Sequence, residues 1–377
     1  MKRVFALFLV LWFVLSIAGC GSTEGNDGLG NGWIPERTME LRYATQFQVD
    51  YYPGGYKLIT LGDGSRFLVI PEGCERPKRI HRDIVSLYQP IENIYLAATA
   101  AMCLFDGMDR LDAIRLSSLK AEDWYIENAR TAMENGEILY AGKYSAPDYE
   151  LIMESGCKLA VESTMIGHAA EEKEKLEELG IPVLMDQSSH EPHPLGRTEW
   201  MKLYAALLNE EEKAENVFSQ QTLLLDEVSA EEPTGKTVVF FQITSSGFVV
   251  ARKSGDYVSK MIELAGGKYV FDHLGDPSKA TSTVTIEMET FYDTARTADY
   301  IIYNGSIGGG VRNLEEFLAL NPLLAEFKAV QDGKVWCTGE NMFQETLQLG
   351  QMIQEIHHIL KENEPELSEL EFIYRLQ

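Results

Sequence analysis

The chain has 377 residues, of which 45% are hydrophobic and 10% aromatic, and this composition is typical of a globular protein. Its formal net charge of −25 argues against a nucleic-acid-binding protein, because such proteins need a basic surface. Apart from Cys20, the cysteines are Cys74, Cys103, Cys157 and Cys337, and they form no CxxC pair. This spacing argues against a zinc site, and it assigns no disulfide.

The N-terminus is typical of a lipoprotein signal peptide over residues 1–20. Lys2 and Arg3 precede an apolar run over 4–17, and the small residues before Cys20 predict that this cysteine is lipidated. The apolar run is shorter than the roughly 20 residues of a spanning helix, although an uncleaved anchor remains the alternative. Glycine-rich residues 21–37 predict a flexible tether. We therefore expect an extracytoplasmic protein, anchored to the cell membrane by lipid.

Residues 38–75 alternate apolar and polar side chains, with breaks at Pro53-Gly54-Gly55 and Gly62-Asp63-Gly64. This pattern predicts a small antiparallel hairpin element.

Strands and helices then alternate over 76–197, which predicts parallel strands with crossover helices in a first α/β lobe. The predicted strands are 83–88, 111–116, 137–142, 158–163 and 181–186, and the predicted helices are 92–108, 121–135, 147–155 and 170–180.

Residues 198–229 are helical in pattern and predict the link between two lobes. Thr198 is a predicted N-cap, Asn209 suits a left-handed helix end, and the helix after it spans roughly 19 residues, or about 28 Å. The strand–helix alternation restarts over 235–362 and predicts a second α/β lobe, with 363–377 as a tail. The predicted fold is thus two Rossmann-like lobes joined by a single long helix, with a ligand cleft between them.

Several segments resemble the ABC-importer substrate-binding proteins for iron complexes and cobalamin. The segments are KRIHRDIVSLYQPIENIYLAATAAM, PDYELIMESGCKLAVES, ELGIPVLMD, LLNEEEKAENVF and VTIEMETFYDTARTADYIIYN, within roughly residues 76–362. The chain departs from the family at SLYQPIENIY, where many members begin the helix with a Thr-Glu pair. The resemblance implies a solute-binding component that captures an iron complex, such as a ferric siderophore, and delivers it to a permease. A corrinoid (cobalamin) or haem ligand is the alternative within the family.

Ligands of parallel sheets bind outside the carboxyl ends of the strands, so the loops there predict the cleft lining. Arginines suit the oxygens of a chelate, and aromatic side chains suit its flat, partly apolar surface. The predicted ligand-binding residues are Tyr88, Arg115, Trp124, Lys143, Tyr144, Ser163, Thr164, Ser189, His190, Arg197, Phe248, Arg252, Tyr303 and Trp336.

The resemblance further implies that Glu150 and Glu287 dock onto the permease. The implied partners are an ABC permease with its ATPase, a small-molecule metal chelate and the membrane, with no nucleic acid, and the protein is expected to be a monomer. No catalytic cofactor is expected.

Two other classes of function stay open. His190, Glu191 and His193 could belong to a receptor for a bare metal ion, although direct metal receptors need three or four ligands from both lobes. A surface-anchored hydrolase would need a nucleophile motif, and the chain has no GxSxG sequence. We therefore expect no enzymatic activity and no metal ligand.

Overall fold

The structure is a computed structural model, and it describes Leu29 and residues 33–280, 282–362, 367 and 370–377. The predicted signal peptide and Cys20 lie outside these residues. Within the described ranges, no helix combines the length and the hydrophobicity needed to cross a membrane.

An N-terminal sheet contains the strands β1 (Arg37–Thr38), β2 (Phe47–Tyr51), β3 (Lys57–Leu61), β4 (Arg66–Ile70) and β5 (Ile84–Tyr88), in that order. The turns predicted from glycine are present, since Gly54, Gly55 and Gly64 all have φ near +80 to +90°. Strand β5 runs parallel to β4. The sequence assigned this strand to the first lobe, but it belongs to the N-terminal sheet. Ile84 packs on residues of that sheet, and Leu87 packs in a core that the sheet shares with the first lobe.

The first lobe is built on a parallel sheet with the order β12-β11-β6-β7-β8. Its strands are β6 (Ile94–Leu96), β7 (Ile114–Ser117), β8 (Leu139–Tyr140), β11 (Leu159–Ser163) and β12 (Val183–Asp186), and β9 (Gly142–Lys143) and β10 (Ala146–Pro147) form a separate hairpin. Its helices are α1 (Met102–Gly107), α2 (Glu127–Glu134), α3 (Tyr149–Glu154) and α4 (Ala170–Glu178).

The predicted helix over 92–108 is wrong in its first half, where strand β6 lies. Ile94 and Leu96 face one side of the sheet and Tyr95 faces the other, and all three are buried. A strand covered on both faces is a continuous apolar run, which the sequence pattern does not distinguish from a buried helix.

The connection between the lobes contains α5 (Pro194–Glu199), α6 (Met201–Leu208) and α7 (Glu211–Ser229). Helix α7 has 19 residues and packs on α6 and on the last helix of the second lobe. Asn209 has φ +61° and ends α6 in the left-handed conformation, as predicted. The predicted N-cap Thr198 is wrong, because α5 begins earlier and His193 caps it, with Pro194 at the first helical position.

The second lobe has a mixed sheet with the order β16-β14-β13-β17-β18-β19, and β15 pairs with β13. Its elements are β13 (Thr237–Ile243), β14 (Val249–Arg252), α8 (Tyr257–Leu264), β15 (Lys268–Tyr269), β16 (Thr283–Ile286), α9 (Met288–Ala295), β17 (Tyr300–Tyr303), α10 (Leu314–Leu320), α11 (Lys328–Gln331), β18 (Val335–Thr338), α12 (Leu349–Lys361) and β19 (Ile373–Arg375).

Two sequence assignments in this lobe change. Residues 283–286 form β16, which pairs antiparallel with β14, so the helix that the pattern predicts from Thr285 begins only at Met288. Residues 373–375, predicted as part of a tail, form β19 on the edge of the sheet beside β18. Both segments are short, and cross-strand partners distant in sequence fix them, so local pattern does not reveal them.

Candidate functional site

A cavity of about 470 Å³ lies between the two lobes. The first lobe contributes residues just beyond the carboxyl ends of β6, β11 and β12, and the second contributes residues from the end of β14, the start of α8 and the segment before α12. The described lining residues are Ala100, Thr164, Met165, Ser189, His190, Glu191, Arg197, Arg252, Gly255, Asp256, Tyr257, Ala280, Ser282, Met342, Phe343, Thr346 and Leu349.

The cavity lining includes two guanidinium groups, those of Arg197 and Arg252. The guanidinium carbon of Arg197 lies 4.0 Å from the ring centroid of Tyr257. Arg252 Nη1 lies 3.6 Å from Asp256 Oδ2, and its guanidinium carbon lies 5.2 Å from the ring centroid of Phe343. Within the described residues, Arg197 Nε is buried and finds no hydrogen-bond partner. Arg197 Nε is therefore a buried donor that can still donate a hydrogen bond.

Glu191 and Asp256 are the two carboxyl groups of the lining. Asp256 lies beside Arg252. Its Oδ1 accepts a hydrogen bond from Val258 N at 2.9 Å and so caps helix α8. Burial raises the pKa of Asp256, while Arg252, the cap hydrogen bond and Arg197 act to lower it. Burial also raises the pKa of Tyr257, so its side chain is the neutral phenol at neutral pH. The lining holds two guanidinium groups and two carboxyl groups, so its formal charges balance, and it is the number of guanidinium donors that distinguishes it.

Gly255 shows how closely the second-lobe wall is packed. A Cβ atom at this position would lie 1.9 Å from the carbonyl oxygen of Lys279, a distance that no side chain can occupy. The glycine thus lets the loop over 276–280 lie directly against the turn that carries Arg252 and Asp256.

A strap over residues 340–348 joins the lobes beside the cavity. Gln344 Nε2 donates to Asp123 O, and Gln344 Oε1 accepts from Tyr125 N, both at 2.8 Å. The buried Thr198 Oγ1 donates to Thr346 O at 2.8 Å, and Leu347 N donates to Cys103 Sγ at 3.3 Å. The second lobe is therefore bonded to the first through backbone and side-chain groups of one short segment.

Part of the predicted ligand-binding set lies in this cavity. The lining includes Thr164, Ser189, His190, Arg197 and Arg252. The strand-end rule thus predicted loops after β11 and β12 that line the cavity, whereas Arg252 lies at the end of β14, which is antiparallel to its neighbours. Ligand binding by these residues stays a prediction.

The other predicted residues lie outside the cavity. Tyr88 is exposed at the end of β5, and Arg115 Nη1 donates to the carbonyls of Gly136 and Glu137 at 2.8 and 2.5 Å. Trp124 is buried in the first lobe and donates to Ser117 Oγ at 3.2 Å. The remaining members are Lys143 and Tyr144 on the β9–β10 hairpin, Ser163 as the cap of the turn after β11, Phe248 in the β13–β14 turn, and the buried Tyr303 and Trp336.

Sequence reasoning missed Asp256 and the apolar wall from Met342 and Phe343. A signal for Asp256 was present, because Ser-Gly-Asp before an apolar helical run is an N-cap pattern. Met342 and Phe343 lie in an irregular segment, and their place in the cavity depends on the strap contacts between distant residues.

The histidine cluster does not form a metal site. Among the described residues, no group of three or more His, Cys, Asp and Glu side chains is arranged to hold a metal ion. His193 Nδ1 accepts from Leu195 N at 3.1 Å, and its ring stacks on Tyr43 at 4.2 Å. Burial and the charge of Arg42 lower the pKa of His193 to about 4. His190 is exposed at the cavity. Cys74, Cys103, Cys157 and Cys337 are free thiols.

Glu150 and Glu287 occupy similar positions in the two lobes. Glu150 lies in the first turn of α3, and Glu287 is the N-cap residue of α9. Both side chains are exposed. Their predicted docking to a permease stays a prediction.

Comparisons with known proteins agree with this architecture. Residues 121–342 match the profile of the periplasmic binding protein family. An uncharacterized lipoprotein of Methanocaldococcus jannaschii is 29% identical over 89% of this chain and 89% of its own length. Among solved structures, a petrobactin-binding protein of Bacillus subtilis has a TM-score of 0.59, with 13% identity over 82% of this chain and 99% of that one.

A periplasmic heme-binding protein of Vibrio cholerae has a TM-score of 0.57, with 17% identity over 70% of this chain and 97% of that one. At these identities the two structures establish the two-lobed α/β fold. The family match covers more than half of the chain and confirms the resemblance seen in the sequence. The chain belongs to the periplasmic binding protein family.

Proposed function

We propose that this protein is the ligand-capturing component of an ABC importer and that its ligand is an anionic iron chelate of the siderophore kind. The observation that carries the proposal is the pair Arg197 and Arg252, which places two guanidinium groups in the cavity lining, one of them with a buried Nε that has no partner among the described residues.

The chemistry of the pair supports an anion rich in oxygen atoms. Guanidinium groups donate paired hydrogen bonds to catecholate, hydroxamate or carboxylate oxygens, and such bonds are strong in a partly dry site. Arg197 Nε, which finds no acceptor among the described residues, is a donor suited to such a ligand. Met342, Phe343 and Leu349 provide apolar surface for the organic part of the chelate.

The similar structures support a ligand of the iron-complex class. By their names, one binds petrobactin and the other binds heme. A haem ligand is the second candidate, because Tyr257 and His190 supply a phenol and an imidazole to the cavity, and both groups ligate haem iron in other proteins. Cobalamin is a further alternative, although it makes no particular use of two arginines.

The proposed location and partners follow from the N-terminus and the family. We propose that Cys20 is lipidated and holds the protein on the extracytoplasmic face of the membrane, as the lipoprotein name of the relative suggests. Glu150 and Glu287 would dock onto arginines of the permease, whose ATPase drives transport. The protein itself would capture its ligand stoichiometrically and carry out no covalent chemistry.

Tryptophan fluorescence of the protein without residues 1–20 tests the proposal. The titrants are ferric complexes of catecholate, hydroxamate and citrate types, together with haem, cobalamin and bare Fe³⁺, Zn²⁺ and Mn²⁺. We expect one ferric chelate to saturate the signal at submicromolar concentration.

Response to haem alone, lost in Tyr257→Phe or His190→Ala, would replace the siderophore with the second candidate. Response only to a bare ion, or turnover of a titrant, would overturn the proposed class.

A further inference from the structure

The segment over residues 42–46, which joins β1 to β2, lies against the stretch over 188–199 that brings Ser189, His190 and Arg197 to the cavity. Backbone N–H groups of Arg42, Tyr43 and Ala44 donate to the Glu199 carboxylate at 2.7–2.8 Å. The N–H groups of Thr45 and Gln46 donate to the Glu191 carboxylate at 2.8 and 3.0 Å. Successive amides of the N-terminal segment thus bind two carboxylates on either side of Arg197.

Both carboxylates are removed from solvent, with Glu191 1% and Glu199 0% exposed. Glu191 also accepts from Thr45 Oγ1 at 3.0 Å and from Trp200 Nε1 at 2.8 Å, and Lys202 Nζ lies 3.0 Å from Glu199 Oε1. A buried charge of this kind is tolerated only when donors surround it. The irregular segment 42–46 in turn needs acceptors for its amides, so each side depends on the other.

Packing between the two segments is equally close. His193 stacks on Tyr43, with ring centroids 4.2 Å apart. A Cβ atom at Gly196 would lie 3.1 Å from the Tyr43 carbonyl oxygen and 3.2 Å from Glu191 Cβ. The N-terminal segment therefore fits against this part of the cavity wall with little room to shift.

We propose that the N-terminal sheet is a working part of the binding site, and that Glu191 and Glu199 are positioning residues that fix Arg197 for the ligand. Segment 42–46 leads directly into β2. The N-terminal sheet therefore keeps residues 188–199 of the cavity wall in the conformation that binds the ligand. The role in affinity rests on the proposed function, whereas the role in ordering the wall does not.

Hydrogen–deuterium exchange of the free protein tests the ordering role. In Glu191→Gln and Glu199→Gln, one carboxylate oxygen becomes an NH₂ group that cannot accept from the backbone. We expect amides over 42–46 and 188–199 to exchange at least tenfold faster, with α8 and α12 unchanged. The matched control is Glu355→Gln, since Glu355 is buried and accepts from the N–H groups of Glu371 and Phe372, outside the cavity lining.

A milder pair of variants serves if the glutamine variants do not fold. Thr45→Val removes one hydrogen bond to Glu191 and keeps the backbone donors, so we expect faster exchange confined to the same two segments. Thr60→Val makes the same change on β3 of the same sheet and should leave both segments unchanged. Unchanged exchange over 188–199, or exchange raised equally throughout the protein, would overturn the proposal.

The affinity arm uses ferric tris(2,3-dihydroxybenzoate) as the probe. We expect Kd to rise about tenfold in Glu191→Gln and Glu199→Gln, with Glu355→Gln and Thr60→Val within twofold of wild type. Unchanged affinity in the glutamine variants would remove the positioning role for the ligand. If wild type binds no member of the ligand panel, the proposed function fails, and the exchange experiment still decides the ordering role.

Discussion

Asp256 in the second lobe and Glu162 in the first are both buried carboxyl groups, 5% and 0% exposed, and burial raises the pKa of each. Asp256 lies beside Arg252 and caps α8, so partners counteract the cost of its charge. Glu162 lies on β11, and within the described residues neither of its oxygens has a hydrogen-bond partner. Burial raises its pKa to about 8.

The comparison distinguishes a carboxyl group that has partners at the cavity from a carboxyl group that has none. In the second lobe, the carboxyl group at the cavity lies beside the guanidinium group of Arg252, which favours its charged form. The first lobe holds a carboxyl group that is protonated at neutral pH, and it adds no charge there. The following substitutions alter this contrast, from the largest expected effect to the smallest.

Arg252→Ala would remove the cationic neighbour of Asp256, which would keep the cap hydrogen bond from Val258, and would remove one of the two guanidinium donors. We expect affinity for an anionic ferric chelate to fall about 100-fold, which corresponds to about 2.7 kcal/mol. Fluorescence titration measures the change. Arg115→Ala is the control, since that guanidinium binds the carbonyls of Gly136 and Glu137 outside the cavity. A loss smaller than threefold would show that Arg252 serves the fold alone.

Glu162→Gln would remove the isolated acid and keep its shape. The unfolded chain ionises near the ordinary pKa of 4.5 and the folded chain near 8, so wild-type stability falls as pH rises between these values and stays low above them. We expect the variant to match wild type near pH 4 and to be more stable by about 2 kcal/mol at pH 6. Urea unfolding at the two pH values measures this, and a pH-independent difference would contradict it.

Asp256→Asn would keep the cap of α8 and remove the negative charge beside Arg252. We expect anionic chelates to bind about fivefold more tightly, because the variant removes a negative charge that repels the chelate in a partly dry site. The gain should shrink at high salt. Weaker binding instead would mean that Asp256 chiefly orients Arg252, and the same titration at two ionic strengths distinguishes these results.

Glu150→Ala and Glu287→Ala change exposed acids that are not part of the cavity lining. We expect ligand affinity within about twofold of wild type, since exposed charges far from a site are screened. Uptake with the permease should fall. Glu154→Ala and Glu289→Ala, which change other exposed acids on the same two helices, should leave uptake unchanged. Equal loss in all four variants would remove the docking role.

The sequence predicted the fold wherever local chemistry decides the structure. Glycine turns, the left-handed Asn209 and the alternation of strands with helices all depend on residues close together in the chain. The errors lie where distant partners decide. β5 joins the sheet of β4, and β19 adds to the edge beside β18. β6 lies in an apolar run that was predicted as a helix.

The site was predictable in part for a related reason. The strand-end rule predicted the loops that hold Thr164 and Ser189, but it does not tell which side chain near a strand end faces the cleft. Arg115 lies within β7 and Trp124 lies seven residues beyond the end of β7, and both bind local partners instead. The support of Arg197 by residues 42–46 crosses about 150 positions of sequence, with separations of 145 to 157 in its hydrogen bonds.

The strap around Gln344 has a consequence for the rates of binding. Opening the lobes on that side would break hydrogen bonds to Asp123, Tyr125 and Cys103, so the ligand-free protein is held near one arrangement. A cavity that is already organised loses little conformational entropy when it fills, and its association rate is limited by encounter rather than by closure. Discrimination between chelates then depends on their residence times, and the radius of gyration measured by scattering should change little on binding.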